Sequence, residues 1–110
     1  MKKRSPLTFE DVCRLAAKLP SVEISTSYGT PALKVKKKLL VRMWEDGETM
    51  VIRAPFDQRQ ELMAADPETY FITDHYLNYE SVLVDLKRVS EEALRDLLGG
   101  AYRLVTTKKK

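Results

Sequence analysis

Hydrophobic positions along the chain change their spacing several times, and each change marks an element. Phe9, Val12, Cys13, Ala16 and Leu19 recur at three- and four-residue intervals, which predicts a helix with one apolar face. Thr8 is placed to cap it, with Asp11 at the third helical position as a carboxylate version of the capping box, and Pro20 stops it. Residues 22–25 then alternate as a short strand. Tyr28-Gly29-Thr30-Pro31 reads as a corner, because glycine permits a positive φ and proline suits a strand start or edge. A β-meander follows to Arg53. Its Asp46-Gly47 pair suits a two-residue type I′ turn, which sets Met43 opposite Met50 and Val41 opposite Ile52. The preceding turn lies within Lys36-Lys37-Lys38. A three-residue loop there puts Val35 opposite Leu39 and Leu33 opposite Val41, whereas a two-residue loop sets a lysine against apolar partners. The three-residue loop is therefore expected.

This register gives the sheet two unlike faces. Leu33, Val35, Leu39, Val41, Met43, Met50 and Ile52 form a core face, and Lys34, Leu40, Arg42, Trp44, Val51 and Arg53 the other. Beyond the meander, Asp57 is expected to cap a second helix with Phe56 as a staple and with Leu62, Met63 and Ala65 as its apolar side. Asp66-Pro67 ends that helix. Residues 70–72 predict a short strand, residues 73–79 a polar and aromatic connection, and residues 81–86 a last strand with Val82, Val84 and Leu86 on one side. Ser90 caps a final helix whose stripe is Leu94, Leu97, Leu98, Ala101 and Val105. Gly99-Gly100 inside it costs roughly 1 kcal/mol per glycine relative to alanine, which predicts a bend or fraying. The order α-β-β-β-β-α-β-β-α describes an α+β fold. It is read as one domain over residues 1–110, an antiparallel sheet with helices on one face, and flexible tails at 1–7 and 106–110.

Composition narrows the class. A chain of 110 residues, 44% hydrophobic and 32% charged, suits a globular protein with one core. No apolar run approaches the roughly 20 residues that span a bilayer, and no apolar stretch follows the basic N-terminus to make a signal peptide. A single cysteine rules out an internal disulfide and a cysteine zinc cage, so a cytoplasmic location is expected. Cys13 lies on the apolar helix face and reads as core. The net charge of +3 is unevenly spread: residues 1–56 carry +5, residues 57–96 carry −6 and residues 97–110 carry +4. A basic front half permits an anionic partner.

Candidate chemistry is sparse. His75 is the only histidine, and neighbours one position away cannot orient it as a general base. No metal spacing, nucleophile elbow or phosphate-loop fingerprint occurs. No catalytic residue, cofactor or metal is therefore expected, and the protein is read as a non-enzyme. His75, Tyr76 and Tyr79, with Tyr28, are candidates for a pocket or contact surface. Lys34, Lys36, Lys37, Lys38, Arg42 and Arg53, with Trp44 as an aromatic surface, are candidates for nucleic-acid binding. The plainer reading makes the lysines a solvated edge that discourages sheet-to-sheet association. A third reading is a protein-interaction or chaperone-like module, self-associating or holding a protein client through a Leu40, Trp44 and Val51 patch.

The chain also resembles the MmcQ/YjbR family of small bacterial proteins. The resemblance covers residues 8–105 and rests on TFEDVCRLAAKLPSVE, TSYGTPALKV, EDGETMVIR, FDQRQELMAADPETYFITDHY and VLVDL in that order. It implies a compact α+β domain of the type shared with secretion chaperones, called a double wing, and a DNA-binding role. Two positions depart from the family pattern. Members often have Gly-Lys at the first meander turn, where this chain has Lys37-Lys38, which puts Lys37 where a glycine relieves a positive φ. Members often have Pro-Trp after the tyrosine at Tyr79, where this chain has Glu80-Ser81.

Overall fold

A computed structural model describes residues 6–27 and 29–107. The expectations for Tyr28 and for the tail residues 1–5 and 108–110 lie outside the described residues. The elements run α1 (Phe9–Ala16), β1 (Val22–Ser27), β2 (Thr30–Val35), β3 (Lys38–Met43), β4 (Thr49–Arg53), α2 (Phe56–Ala65), β5 (Tyr70–Phe71), a 3₁₀ turn (Asp74–Tyr76), β6 (Ser81–Asp85) and α3 (Glu91–Thr106). This is the α+β order read from the sequence. The strands form one sheet in the order β1-β2-β3-β4-β6-β5, with every neighbouring pair antiparallel.

Local chemistry explains the ends of the elements. The Asp11 carboxylate accepts from the Thr8 backbone N–H at 2.9 Å and from its hydroxyl at 3.2 Å, which fixes the start of α1. Ser90 Oγ accepts from the Ala93 N–H at 3.1 Å at the start of α3. The second helix starts two residues earlier than expected. Pro55 is its N-cap, and Asp57 lies in the first turn, accepting from the Gln58 N–H. Leu7 is no loose tail residue, because its N–H donates to the Leu86 carbonyl at 3.2 Å. Gly99 and Gly100 do not interrupt α3, which continues to Thr106 because its apolar stripe is held against the sheet.

Two turns depart from expectation, in opposite senses. The Asp46-Gly47 pair is not a type I′ turn. Only Gly47 has a positive φ (73°), and the hairpin closes at Trp44 and Thr49 around a four-residue loop. The Asp46 carboxylate fills that loop, accepting from the Glu48 and Thr49 N–H groups and from the Thr49 hydroxyl, each at 2.9 Å. The lysine turn has two residues, not three. Lys36 and Lys37 have φ of 51° and 73°, the double left-handed signature of type I′, and Val35 pairs with Lys38. The resulting parity conflict is absorbed by a bulge. Lys34 faces Leu39 and Leu33 faces Val41, so Leu40 is the extra residue on β3. The expected sides of two leucines are thereby exchanged: Leu40 enters the core cluster, and Leu39 turns to the second face.

The core lies between the sheet and α1 with α3, where Val12, Leu33, Val41, Met50, Ile52, Val82, Leu94 and Leu98 are almost wholly buried. Each such side chain contributes roughly 1.5–3 kcal/mol by leaving water. Cys13 packs at the margin of this cluster, and burial pushes its thiol pKa up. The second face is covered too. Ala32, Val51 and Leu83 are at most 4% exposed, although none belongs to the helical-side cluster. The segment that follows β5 folds back over them.

Candidate functional site

The fold gathers charge at one end of the sheet. The β2–β3 turn, the end of β4, the start of β6 and the C-terminal turns of α3 all meet there. Lys36 and Lys37 form the tip, and Lys34 is half-buried beside it on the second face, opposite Leu39 and Glu23. Lys38 reaches across to donate from Nζ to the Val105 carbonyl at 3.3 Å. Arg53 and Arg103 complete the set. Among the described residues, every ion pair uses Arg14, Lys87, Arg88 or Arg95 as its cation. The six cations at this end therefore face no carboxylate within ion-pair distance.

Two connected hollows open here. The larger, of about 960 Å³, is a groove lined by Lys38, Arg53, Gln58, Glu80, Gly100 and Arg103 among others. The smaller, of about 220 Å³, lies on the second face between the floor of Leu39 and Val51 and a rim of His75, Tyr76 and Tyr79. Leu39, Arg53 and Glu80 line both. Arg53 joins the two hollows, and its buried Nε makes no hydrogen bond.

The rim is held by a residue that the sequence reading did not single out. Arg59 on α2 is 7% exposed, and its guanidinium donates to four backbone carbonyls: Tyr76, Tyr79 and Ser81 from Nη1 at 3.0, 2.7 and 3.1 Å, and Leu77 from Nη2 at 3.0 Å. The Phe56 ring stacks on its other side at 4.8 Å. The Tyr76 and Tyr79 carbonyls also accept from the Tyr79 and Ser81 N–H groups at 3.1 and 2.8 Å, so the guanidinium adds a second bond to each and ties the turn to α2. Clamped this way, His75, Tyr76 and Tyr79 stand as one aromatic group, with ring centroids 4.8, 5.9 and 6.3 Å apart. His75 makes no hydrogen bond among the described residues.

Other expected site residues are placed elsewhere. Arg42 is 6% exposed and structural, donating to the Thr30 hydroxyl at 3.0 Å, the Met43 carbonyl at 3.1 Å and the Tyr76 hydroxyl at 3.5 Å. It braces the rim from below and lines the smaller hollow. Trp44 follows β3 at its far end, about 20 Å from the lysine tip at the usual strand rise. The Leu40, Trp44 and Val51 patch does not form, because the bulge sends Leu40 into the core and the rim segment covers Val51. Among the described residues the large exposed apolar side chains are Ile24, Phe56, Leu77 and Tyr79. No group of three or more histidine, cysteine or acidic side chains among the described residues could hold a metal ion, and no helix there is long and apolar enough to cross a membrane.

Comparison with known proteins places this architecture. The chain is similar to the crystal structure of Deinococcus radiodurans protein DR2400, described by the domain DUF419, with 25% sequence identity and a TM-score of 0.79 over 92% of this chain and 80% of that one. No curated protein matches. A model of the YjbR family matches residues 17–104, most of the length, and the chain belongs to that family.

Proposed function

We propose that this domain binds nucleic acid, without catalysis, through the basic end of its sheet. The observation that carries the reading is the set of six cations there, Lys34, Lys36, Lys37, Lys38, Arg53 and Arg103, none in an ion pair among the described residues, with Lys38, Arg53 and Arg103 lining an open groove. Phosphate contacts by lysine and arginine release counterions from the polymer and supply sequence-independent affinity. The turn geometry supports the reading further. Two lysines occupy left-handed positions that favour asparagine and glycine, a strain that persists where it serves a site. A solvated edge needs the charges but not the strained turn. Among the described residues His75 has no side-chain partner that would orient it as a general base, which favours binding over catalysis.

The test is charge reversal at the tip. In a Lys36→Glu/Lys37→Glu variant, affinity for labelled DNA at low salt drops at least about tenfold in fluorescence anisotropy, while circular dichroism stays that of the parent. Undiminished affinity would remove the tip from the interface. Absence of binding by the parent protein at low salt would end the reading.

A further inference from the structure

We infer that the small hollow beneath the aromatic rim takes one unstacked nucleobase, so that the domain prefers single strands to duplex. The inference rests on the nucleic-acid reading and concerns strandedness, which the cations alone leave open. Leu39 and Val51 give the hollow an apolar floor, His75, Tyr76 and Tyr79 an aromatic rim, and Arg42, Arg53, Glu80 and Ser81 polar groups at its walls. Tyr79 is 57% exposed, a large ring left facing solvent beside an arginine. An aromatic surface next to a guanidinium is the chemistry that holds a base and its phosphate, the base by stacking and the phosphate by charge.

Connection is the second observation. The hollow shares Leu39, Arg53 and Glu80 with the larger groove, where Lys38 and Arg103 lie. A base in the hollow therefore leaves its backbone running along the groove, past the cations already assigned to phosphates. Arg53 sits at the junction with no carboxylate in ion-pair reach, and its Nε is buried without a partner. A phosphate at the junction pairs with the Arg53 guanidinium, which lines both hollows.

Preorganisation is the third. The rim does not have to be assembled on binding, because Arg59 fixes its backbone through four carbonyls and Arg42 braces the Tyr76 hydroxyl. A paired base inside a duplex cannot enter a hollow that is walled on one side by the sheet. Reaching it requires an unpaired strand, or extrusion of the base at an unpairing cost.

The experiment compares a labelled 12-nucleotide single strand with a hairpin duplex of the same sequence, by anisotropy at low salt. The parent protein, Tyr79→Ala, Tyr79→Trp, Arg53→Gln and Lys36→Glu/Lys37→Glu are measured. The inference expects the parent to prefer the single strand. Tyr79→Ala loses about tenfold on the single strand, the usual size of one base stack, and less than about twofold on the duplex. Tyr79→Trp keeps the preference, and Arg53→Gln weakens the single strand more than the duplex. Equal affinity for the two forms, with Tyr79→Ala indifferent and the tip variant deficient, overturns this inference while leaving the basic-end reading intact. If the parent binds neither form, thymidine 5′-monophosphate is titrated against the backbone amide spectrum. Shifts confined to Arg53 and residues 75–81 then support the hollow without the polymer reading, and an unchanged spectrum overturns it.

Discussion

The lysine turn provides the sharpest mutational test, because one substitution can separate backbone strain from charge. Lys36 and Lys37 both hold positive φ, at 51° and 73°. A left-handed conformation costs an ordinary residue roughly 1–2 kcal/mol, and glycine escapes that cost. Lys37→Gly therefore relieves about 1–2 kcal/mol in the folded state. Glycine also loosens the unfolded chain, which takes back about 0.4–1 kcal/mol. The net expectation is a gain of about 0.5–1 kcal/mol, and Lys36→Asn adds a smaller gain because asparagine tolerates this region better than lysine. For a chain of this length that is a rise in melting temperature of about 3–6 °C, read by calorimetry or thermal circular dichroism. Lys37→Ala keeps the strain and should leave stability within about 0.5 kcal/mol. Both Lys37 variants lose the same charge, so nucleic-acid affinity should fall equally in both. A Lys37→Gly protein no more stable than Lys37→Ala would refute the left-handed turn. A Lys37→Gly protein with undiminished affinity would refute its use as a contact.

Further outcomes follow from the same geometry. Arg59→Ala removes a buried cation that donates to four carbonyls, and should cost about 3 kcal/mol in denaturant unfolding while weakening the amide protection of residues 76–81 in hydrogen exchange. Gly99→Ala should stabilise α3 by about 0.5–1 kcal/mol, because the position is helical and an added methyl meets no atom within 4 Å. Asp46 has its carboxyl pKa lowered: burial opposes the charge, but hydrogen bonds from Glu48 and Thr49 outweigh it. A depressed carboxyl pKa stabilises the fold above the ordinary carboxylate range and loses that contribution as pH falls through the lower folded value. Asp46→Ala should therefore unfold at lower urea at pH 7, and the gap from the parent should close below about pH 4.

Much of the fold was legible because apolar spacing and capping residues speak for themselves. Val12, Leu94 and Leu98 announce their helices, and Met43 with Met50 announces the β3–β4 pairing. The two turns were misjudged for one reason. A turn type depends on backbone angles that local residue preference only biases, so Asp46 could serve better as a side-chain cap than as a left-handed corner, and two lysines could be held where asparagine and glycine are commoner. The swap of Leu39 with Leu40 follows from that misjudgement, since one bulged residue reverses the side of its neighbour.

The candidate site was legible only in part. Lys34, Lys36, Lys37, Lys38 and Arg53 stand together because adjacent strand ends are close in sequence. Arg103 joins them from a helix some fifty residues later, and no spacing rule brings it there. Arg42 and Arg53 look alike in the sequence and both line the smaller hollow, yet only Arg42 is buried as a brace, while Arg53 also lines the larger groove. Arg59 carried one weak signal: a charged residue early in a helix followed by a loop whose carbonyls have no strand partners. Only the tertiary contact turns that into a clamp.

The dependence of affinity on salt tests the central claim most directly, that unpaired cations at one end of the sheet bind phosphates. With five or six contacts to a single strand, log Kobs should fall against log salt with a slope of about −3 to −4, and Lys36→Glu/Lys37→Glu should flatten it by about one to two. A slope near zero, or one that the tip variant leaves unchanged, would contradict the account.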